Sequence, residues 1–217
     1  MKKYKENFKL LKKNHVYSEE MEHDACGVGL ISSTEGKKSR KVVEYGIEAL
    51  KAVWHRGAVD ADGKTGDGAG IHVEIPKDFF IEKIEVTGHT HDSSEICVGM
   101  IFLPRNDYAA QESCKTIVES ELTKNDFSIY GWRQVPVDPK VLGEKAFQTM
   151  PEIIQVLFKS NNPELLNKEL ERKIYETRRK IENKAFQISL NNFYICSLSS
   201  KSIIYKGMFL AEAISDF

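Results

Sequence analysis

Apolar and polar positions change period several times along the chain. Residues 1–25 are polar and charged, with few periodic apolar positions, and read as a leader rather than a core element. The character changes at Cys26. Cys26-Gly27-Val28-Gly29-Leu30-Ile31 is a short apolar run with small residues, which predicts a buried strand. Ser39 is placed to cap a helix running to about Trp54. On it Val43, Ile47, Leu50 and Trp54 recur at spacings of 4, 3 and 4 and make one apolar stripe. Residues 55–70 hold five glycines and no periodicity, which predicts a long loop of the kind that often carries function. Ile71 to Ile75 then alternates apolar and polar until Pro76 stops it, as a half-buried strand does.

The second half alternates between the two periods. Ile96 to Leu103 is almost wholly apolar and predicts a buried strand. Residues 107–123 predict a helix with Cys114, Ile117, Val118 and Leu122 inward, followed by strands near 128–135 and 152–158. Asn162 and Pro163 predict the cap and first residue of the longest helix, with Leu166, Leu170, Ile174, Arg178 and Ile181 on one face. Phe193–Leu198 and Ser202–Tyr205 predict a hairpin, and Met208–Phe217 the start of another helix. Strands and helices mix without a strict βαβ rhythm, so the fold class is α+β, with helices on largely antiparallel sheets.

Composition narrows the function classes. The chain has 217 residues, enough for one large domain or part of a larger one, and 41% hydrophobic with 29% charged residues is globular usage. The 31 basic against 32 acidic residues call for neither nucleic acid nor an anionic membrane as partner, and the apolar stretches are strand-sized, not membrane-spanning. The Lys-rich start has no apolar h-region, no Arg and little Ser, unlike secretory or transit peptides. Four cysteines (Cys26, Cys97, Cys114 and Cys196) form no C-x-x-C pair and no zinc template. Reduced thiols in a cytoplasmic compartment are expected. Cys97, Cys114 and Cys196 lie on apolar faces and read as core, as do Trp54 and Trp132. His89, His91 and Asp92 read as a solvated turn rather than metal ligands. Gly63-Lys64-Thr65 resembles the end of a P-loop, but Ala58 stands where that motif needs its first glycine and no strand precedes it, so nucleotide binding is discounted.

The candidate chemistry centres on Cys26. If residues 1–25 are removed, Cys26 carries a thiol and a free α-amine, whose reference pKa of about 7.7–8.0 suits it to take a thiol proton near neutral pH. The sulfur is then the nucleophile and the amine its base. With the leader attached that nitrogen is an amide, so leader removal would be an activation step. Gly27 and Gly29 would let substrate and backbone approach closely. Taken alone, a cysteine at the start of an apolar strand is ordinarily a small core residue.

Longer motifs go beyond that reading. Glu22-His23-Asp24-Ala25-Cys26-Gly27-Val28-Gly29 is followed by His55-Arg56-Gly57-Ala58 and by the glycine-alternating Lys64 to Ile71. Further on come Gly131-Trp132-Arg133-Gln134-Val135-Pro136-Val137-Asp138, then Phe193 to Ser200, then Ile204-Tyr205-Lys206-Gly207-Met208. In this order, over residues 18–217, the chain resembles the N-terminal part of the class II glutamine amidotransferase domain of glutamate synthases. The resemblance implies an N-terminal nucleophile hydrolase fold, an αββα sandwich, truncated at Phe217, with residues 1–25 as propeptide and 26–217 as domain. It implies Cys26 as catalytic nucleophile and cleavage after Ala25, with Gly27 and Arg56 in support; an arginine there otherwise only holds loop carbonyls and a carboxylate. Asp67 is a turn-forming residue or part of the site. The family's residues for the α-carboxylate and α-amine of glutamine, and its Asn-Gly oxyanion pair, would lie beyond Phe217.

The expected substrate is glutamine, hydrolysed to glutamate and ammonia; no metal and no cofactor is expected in these residues. FMN and an iron–sulfur cluster are implied for the full-length enzyme, where ammonia would reductively aminate 2-oxoglutarate. The downstream synthase domains, with a small subunit or ferredoxin, are the implied partners. The alternatives are a non-catalytic fragment, or a separate amidotransferase-like subunit acting with a partner chain. Amidotransferases feeding purine, amino-sugar or asparagine synthesis are disfavoured by the Lys64–Ile71 and 193–208 segments.

Overall fold

The structure, a computed structural model, describes residues 2–14, 27–53, 57–91 and 95–217. Its elements are α1 (Lys2–Asn14), α2 (Arg40–Ala52), β1 (Ala69–Glu74), α3 (Lys77–Val86), β2 (Cys97–Leu103), α4 (Tyr108–Lys124), β3 (Phe127–Gln134), α5 (Glu144–Thr149), β4 (Glu152–Ser160), α6 (Asn167–Gln187), β5 (Tyr194–Ser199) and β6 (Ser202–Gly207). Single 3₁₀ turns stand at Pro139–Val141 and Ala211–Ser215.

A four-stranded sheet, in the order β3-β4-β2-β5, and a two-stranded sheet, β1-β6, are antiparallel throughout. Strand β2 explains the arrangement. Cys97, Ile101 and Leu103 face a core built with α4 and α6, through Val118, Leu122, Ile174 and Ile181. Val98 and Met100 point the other way, into a second core with Phe80 and Ile84 of α3 and Ile203 of β6. Both faces of β2 are buried, so its sequence is continuous in apolar residues rather than alternating. Helix α2 lies against β1 and the Ala211–Ser215 turn. Among the described residues the fold is α+β with antiparallel sheets, as the periodicity predicts. Among the described residues, no helix is long and apolar enough to cross a membrane.

Local chemistry set several boundaries. Ser39 accepts from the Lys41 N–H and caps α2, and the Asp107 carboxylate accepts from the Ala110 N–H and caps α4. Helix α3, which follows Pro76, is not among the predicted elements, although Phe80 and Ile84 are one turn apart and fully buried. Helix α1 falls within the predicted leader; six lysines, two leucines and a glutamate favour helix there, and none of its described side chains is buried.

Four expectations are corrected. The described part of the predicted 26–31 strand, Gly27–Ile31, is irregular and exposed, with Val28 at 91% and Leu30 at 89%. No described strand pairs with it, and an apolar run becomes a strand only where an edge takes its N–H and C=O groups. The longest helix starts at Asn167 rather than Asn162. The Asn162 side chain instead accepts from the Glu164 N–H, closing a separate turn. Leu166 therefore lies outside the buried face, and Arg178 donates to the Ile195 carbonyl at its margin while Thr177 is buried. β5 and β6 do not form a hairpin: β5 pairs with β2 and β6 with β1. The Glu171 carboxylate accepts from the Ser199 and Ser200 hydroxyls and the Ser200 N–H, and Ser199 Oγ accepts from the Lys201 and Ser202 N–H groups. That serine turn carries the chain from one sheet to the other. Residues 208–217 hold only the short 3₁₀ turn, not a helix.

Candidate active site

The glycine-rich segment predicted as a loop is an ordered hairpin leading into β1. Asp60 N–H donates to the Thr65 carbonyl and Asp67 N–H to the Ala58 carbonyl, with Val59 bridging Gly66. Gly63, at the tip, has φ +69°, a left-handed conformation that glycine adopts without strain. Asp62 ties the tip together. Its carboxylate accepts from the Thr65 hydroxyl at 2.5 Å and from the Thr65 and Lys64 N–H groups at 2.7 and 2.9 Å. Those bonds, the hydroxyl's first, hold the Asp62 carboxyl well below the usual carboxylate range. The Lys145 ammonium, bonded to Asp60 at 2.6 Å, likewise lowers the Asp60 pKa. Thr65 of the P-loop-like triplet is thus buried and committed to Asp62.

β1 then pairs with β6, placing Ala69 opposite Gly207, Gly70 opposite Lys206 and Ile71 opposite Tyr205. Two motifs far apart in sequence become one wall, and the glycines explain how closely they meet. A Cβ on Gly66 would lie 2.7 Å from the Phe209 carbonyl oxygen, and one on Gly70 would lie 2.8 Å from Cβ of Lys206. A Cβ on Gly207 would strike the Phe209 ring at 2.3 Å. The alternating glycines therefore admit backbone, not phosphate.

This wall borders a cavity of about 1180 Å³. Asp67, His72, Lys206 and Met208 line one side, Arg105 and Gln148 another. The Lys206 ammonium donates to the Tyr194 hydroxyl at 2.7 Å and lies over that ring. Arg105 stacks on Phe147 at 4.7 Å and donates to its carbonyl. The Asp67 side chain makes no hydrogen bond with the described residues, so the turn-forming reading of Asp67 is not what the structure has: the turn belongs to Asp62.

Of the predicted site residues, Cys26 and Arg56 lie outside the described residues, as do Trp54 and Asp92. Gly27 is exposed at the head of the irregular 27–31 segment. Cys97, Cys114 and Cys196 are buried, as expected, and burial raises all three thiols, Cys114 to about 11. Trp132 is half-buried against the helical core and donates to Glu119. His89 and His91 are not simply solvated: both rings meet Tyr130 edge-on, at 6.0 and 6.3 Å. The sequence reading missed Asp62, Thr65, Gly143 and Lys145; the Asp-Ala-Asp-Gly turn signal at 60–63 was the clue available.

The model of the class-II glutamine amidotransferases matches residues 26–217. The glutamate synthase (NADPH) large chain of Azospirillum brasilense is 52% identical over 214 residues, covering 99% of this chain and 14% of its own length. A ferredoxin-dependent glutamate synthase of Pyropia yezoensis is 38% identical over 216 residues, 96% of this chain and 14% of that one. The chloroplastic ferredoxin-dependent glutamate synthase 2 of Arabidopsis thaliana is 36% identical over 215 residues, 97% and 13%. The chain thus spans about 14% of the length of the first of these relatives. With that match over its whole length from Cys26 onward, the chain belongs to the family of class-II glutamine amidotransferases.

Proposed function

We propose that this chain is the glutaminase part of a glutamate synthase, with residues 1–25 as a leader and residues 26–217 as the N-terminal part of an N-terminal nucleophile hydrolase domain. Cys26, freed by cleavage after Ala25, is the nucleophile. Its α-amine takes the thiol proton, and the thiolate attacks the side-chain amide carbon of glutamine. The amide nitrogen leaves as ammonia after receiving that proton, and water resolves the thioester to glutamate and free thiol. Gly27 leaves room beside the sulfur and Arg56 orders the surrounding loop. The ammonia goes on to reductive amination of 2-oxoglutarate in the synthase domains that the relatives' names imply. FMN and an iron–sulfur cluster belong to that second reaction.

One observation carries the reading. The β1–β6 pairing joins the Lys64–Ile71 and Ile204–Met208 motif segments, which the resemblance rests on, and residues of both line one cavity. The family match supports it further by beginning at Cys26 itself.

The test is the intact mass of the natural protein before and after treatment with a glutamine-mimicking electrophile. A mature chain beginning at Cys26 with one adduct on that residue is expected. A chain still beginning at Met1 and taking no adduct overturns the proposal.

A further inference from the structure

Helix α5 is capped by another segment. Its N-cap residue, Gly143, has no side chain, and an isolated helix start of this kind leaves its first N–H groups unpaired. Here the hairpin tip supplies the acceptors from some eighty residues earlier. Asp62 Oδ2 accepts from the Lys145 N–H at 3.4 Å and Thr65 Oγ1 from the Ala146 N–H at 3.3 Å. Thr65 can accept there because its own proton goes to Asp62. The Lys145–Asp60 ion pair closes the outside of the joint. A Cβ at Gly143 would stand 2.3 Å from both Asp62 Oδ2 and Thr65 Oγ1, so glycine is what lets the two pieces meet.

The joined pieces are both walls of the cavity. The hairpin continues into Asp67 and Gly68, and α5 supplies Ala146, Gln148 and Thr149. The far end of α5 is tied on to the cavity through Arg105, which donates to the Phe147 carbonyl. The near stem of the hairpin is Ala58, whose carbonyl holds Asp67 N–H. Fixing the tip therefore fixes Asp67, through its N–H, and the α5 wall.

We propose that Asp62 and Thr65 are positioning residues for glutamine hydrolysis, acting by capping α5 from the hairpin and so locking the two cavity walls in register. The role rests on the glutaminase reading above. It differs from a core-packing role because the joint, though Thr65 and Ala146 are buried, belongs to neither hydrophobic core.

The test uses the natural full-length chain that carries these residues. Thr65→Val keeps the shape of the side chain and removes the hydroxyl, and Thr65→Ser restores it. Thr65→Val is expected to lower kcat/KM for glutamine about tenfold or more, as sub-ångström misplacement of a site does. Thr65→Ser should recover to within about threefold of wild type, and alkylation of Cys26 by iodoacetamide should be unchanged in both. If Thr65→Val does not fold, Asp62→Asn carries the same comparison. A wild-type chain that hydrolyses glutamine beside a Thr65→Val variant within about twofold of it overturns the positioning role alone. A wild-type chain that neither hydrolyses glutamine nor labels at Cys26 overturns the glutaminase reading and the positioning role with it.

Discussion

The same substitution, glycine to alanine, should act with opposite sign at Gly66 and Gly46. Neither residue has a positive φ, so alanine is conformationally allowed at both and packing decides. At Gly66 the three atoms nearest the new Cβ are all backbone: the Phe209 oxygen at 2.7 Å, the Phe209 carbonyl carbon at 2.8 Å and Leu210 N at 3.0 Å. Carbon contacts are best at roughly 3.5–4.0 Å, so the hairpin and the end of β6 must part by about half an ångström or more. No rotamer relieves a backbone contact. Overpacking of this kind costs about 1–3 kcal/mol, offset by about 0.4–1 kcal/mol from the reduced freedom of the unfolded chain, which leaves a net loss of about 1–2 kcal/mol. At Gly46, in the middle of α2, the new Cβ reaches Ile71 Cδ1 at 3.5 Å, an ordinary contact. Alanine in a helix interior gains about 0.8–1 kcal/mol over glycine. The two variants should therefore differ by about 2–3 kcal/mol, or about 4–12 °C in Tm for a chain of this size. Denaturant titration with unchanged m-values, alongside thermal melts, measures the gap. A Gly66→Ala protein as stable as wild type would mean that the hairpin does not press on the 207–210 backbone, and the account of the motif's glycines would be wrong.

Other outcomes follow from the same geometry. In the native protein iodoacetamide at pH 8 should label Cys26 alone, because burial raises Cys97, Cys114 and Cys196; peptide mapping that finds a second native adduct would contradict this. The Asp60 and Asp62 pKa values are depressed below an unfolded value of about 3.9, so their stabilisation is complete above that pH and is lost as the pH falls through the folded values. An Asp60→Asn/Asp62→Asn protein should lose less stability than wild type between pH 5 and pH 2, and parallel curves from denaturant titration would refute the assignment. Phe158→Ala removes a fully buried ring packed edge-on to Phe127 at 5.4 Å and should cost about 3–5 kcal/mol, read from the shift in denaturant midpoint; a cost below about 1 kcal/mol would mean that this core is not close-packed.

Much of the fold was legible because local signals and burial agreed. Ser39 announces and caps its helix, and the helix predicted over 107–123 is capped by its first residue, Asp107. The apolar run of β2 and the alternation of β1 state which of their faces are covered. The failures share a cause, which is that the deciding contacts are distant in sequence. Phe193–Leu198 and Ser202–Tyr205 have the spacing of a hairpin, but Glu171, on α6, holds the serines between them and turns the chain into the other sheet. Ser197 Oγ accepts from the Ile204 N–H, so β5 meets β6 through side chains where a hairpin would use backbone. Asn162-Pro163 carries a helix-start signal, yet its hydrogen bond is spent on a local turn before Asn167. The apolar content of Gly27–Ile31 says only that the segment would bury if something covered it.

The candidate site was legible at its motifs and not in its supports. Strict alternation of Gly66, Gly68 and Gly70 reads as a motif in one dimension, but its reason is the backbone of residues 205–210, which no local pattern reveals. Asp67 attracts notice as the charged residue among those glycines, while the working carboxylate of the turn is Asp62, five residues earlier, inside what reads as ordinary polar loop. Its partner Thr65 looked like part of a phosphate motif because the same residue types serve both ends: a hydroxyl beside glycines can meet a phosphate or a carboxylate. Geometry decides between them. Once the hydroxyl proton is given to Asp62, the oxygen's remaining lone pairs face an N–H of α5, and the residue becomes a joint between elements. Gly143 completes the same logic, since only from the docked hairpin does its missing side chain acquire meaning. A site assembled this way keeps its chemistry in recognisable motifs and its precision in residues that are ordinary until the chain has folded.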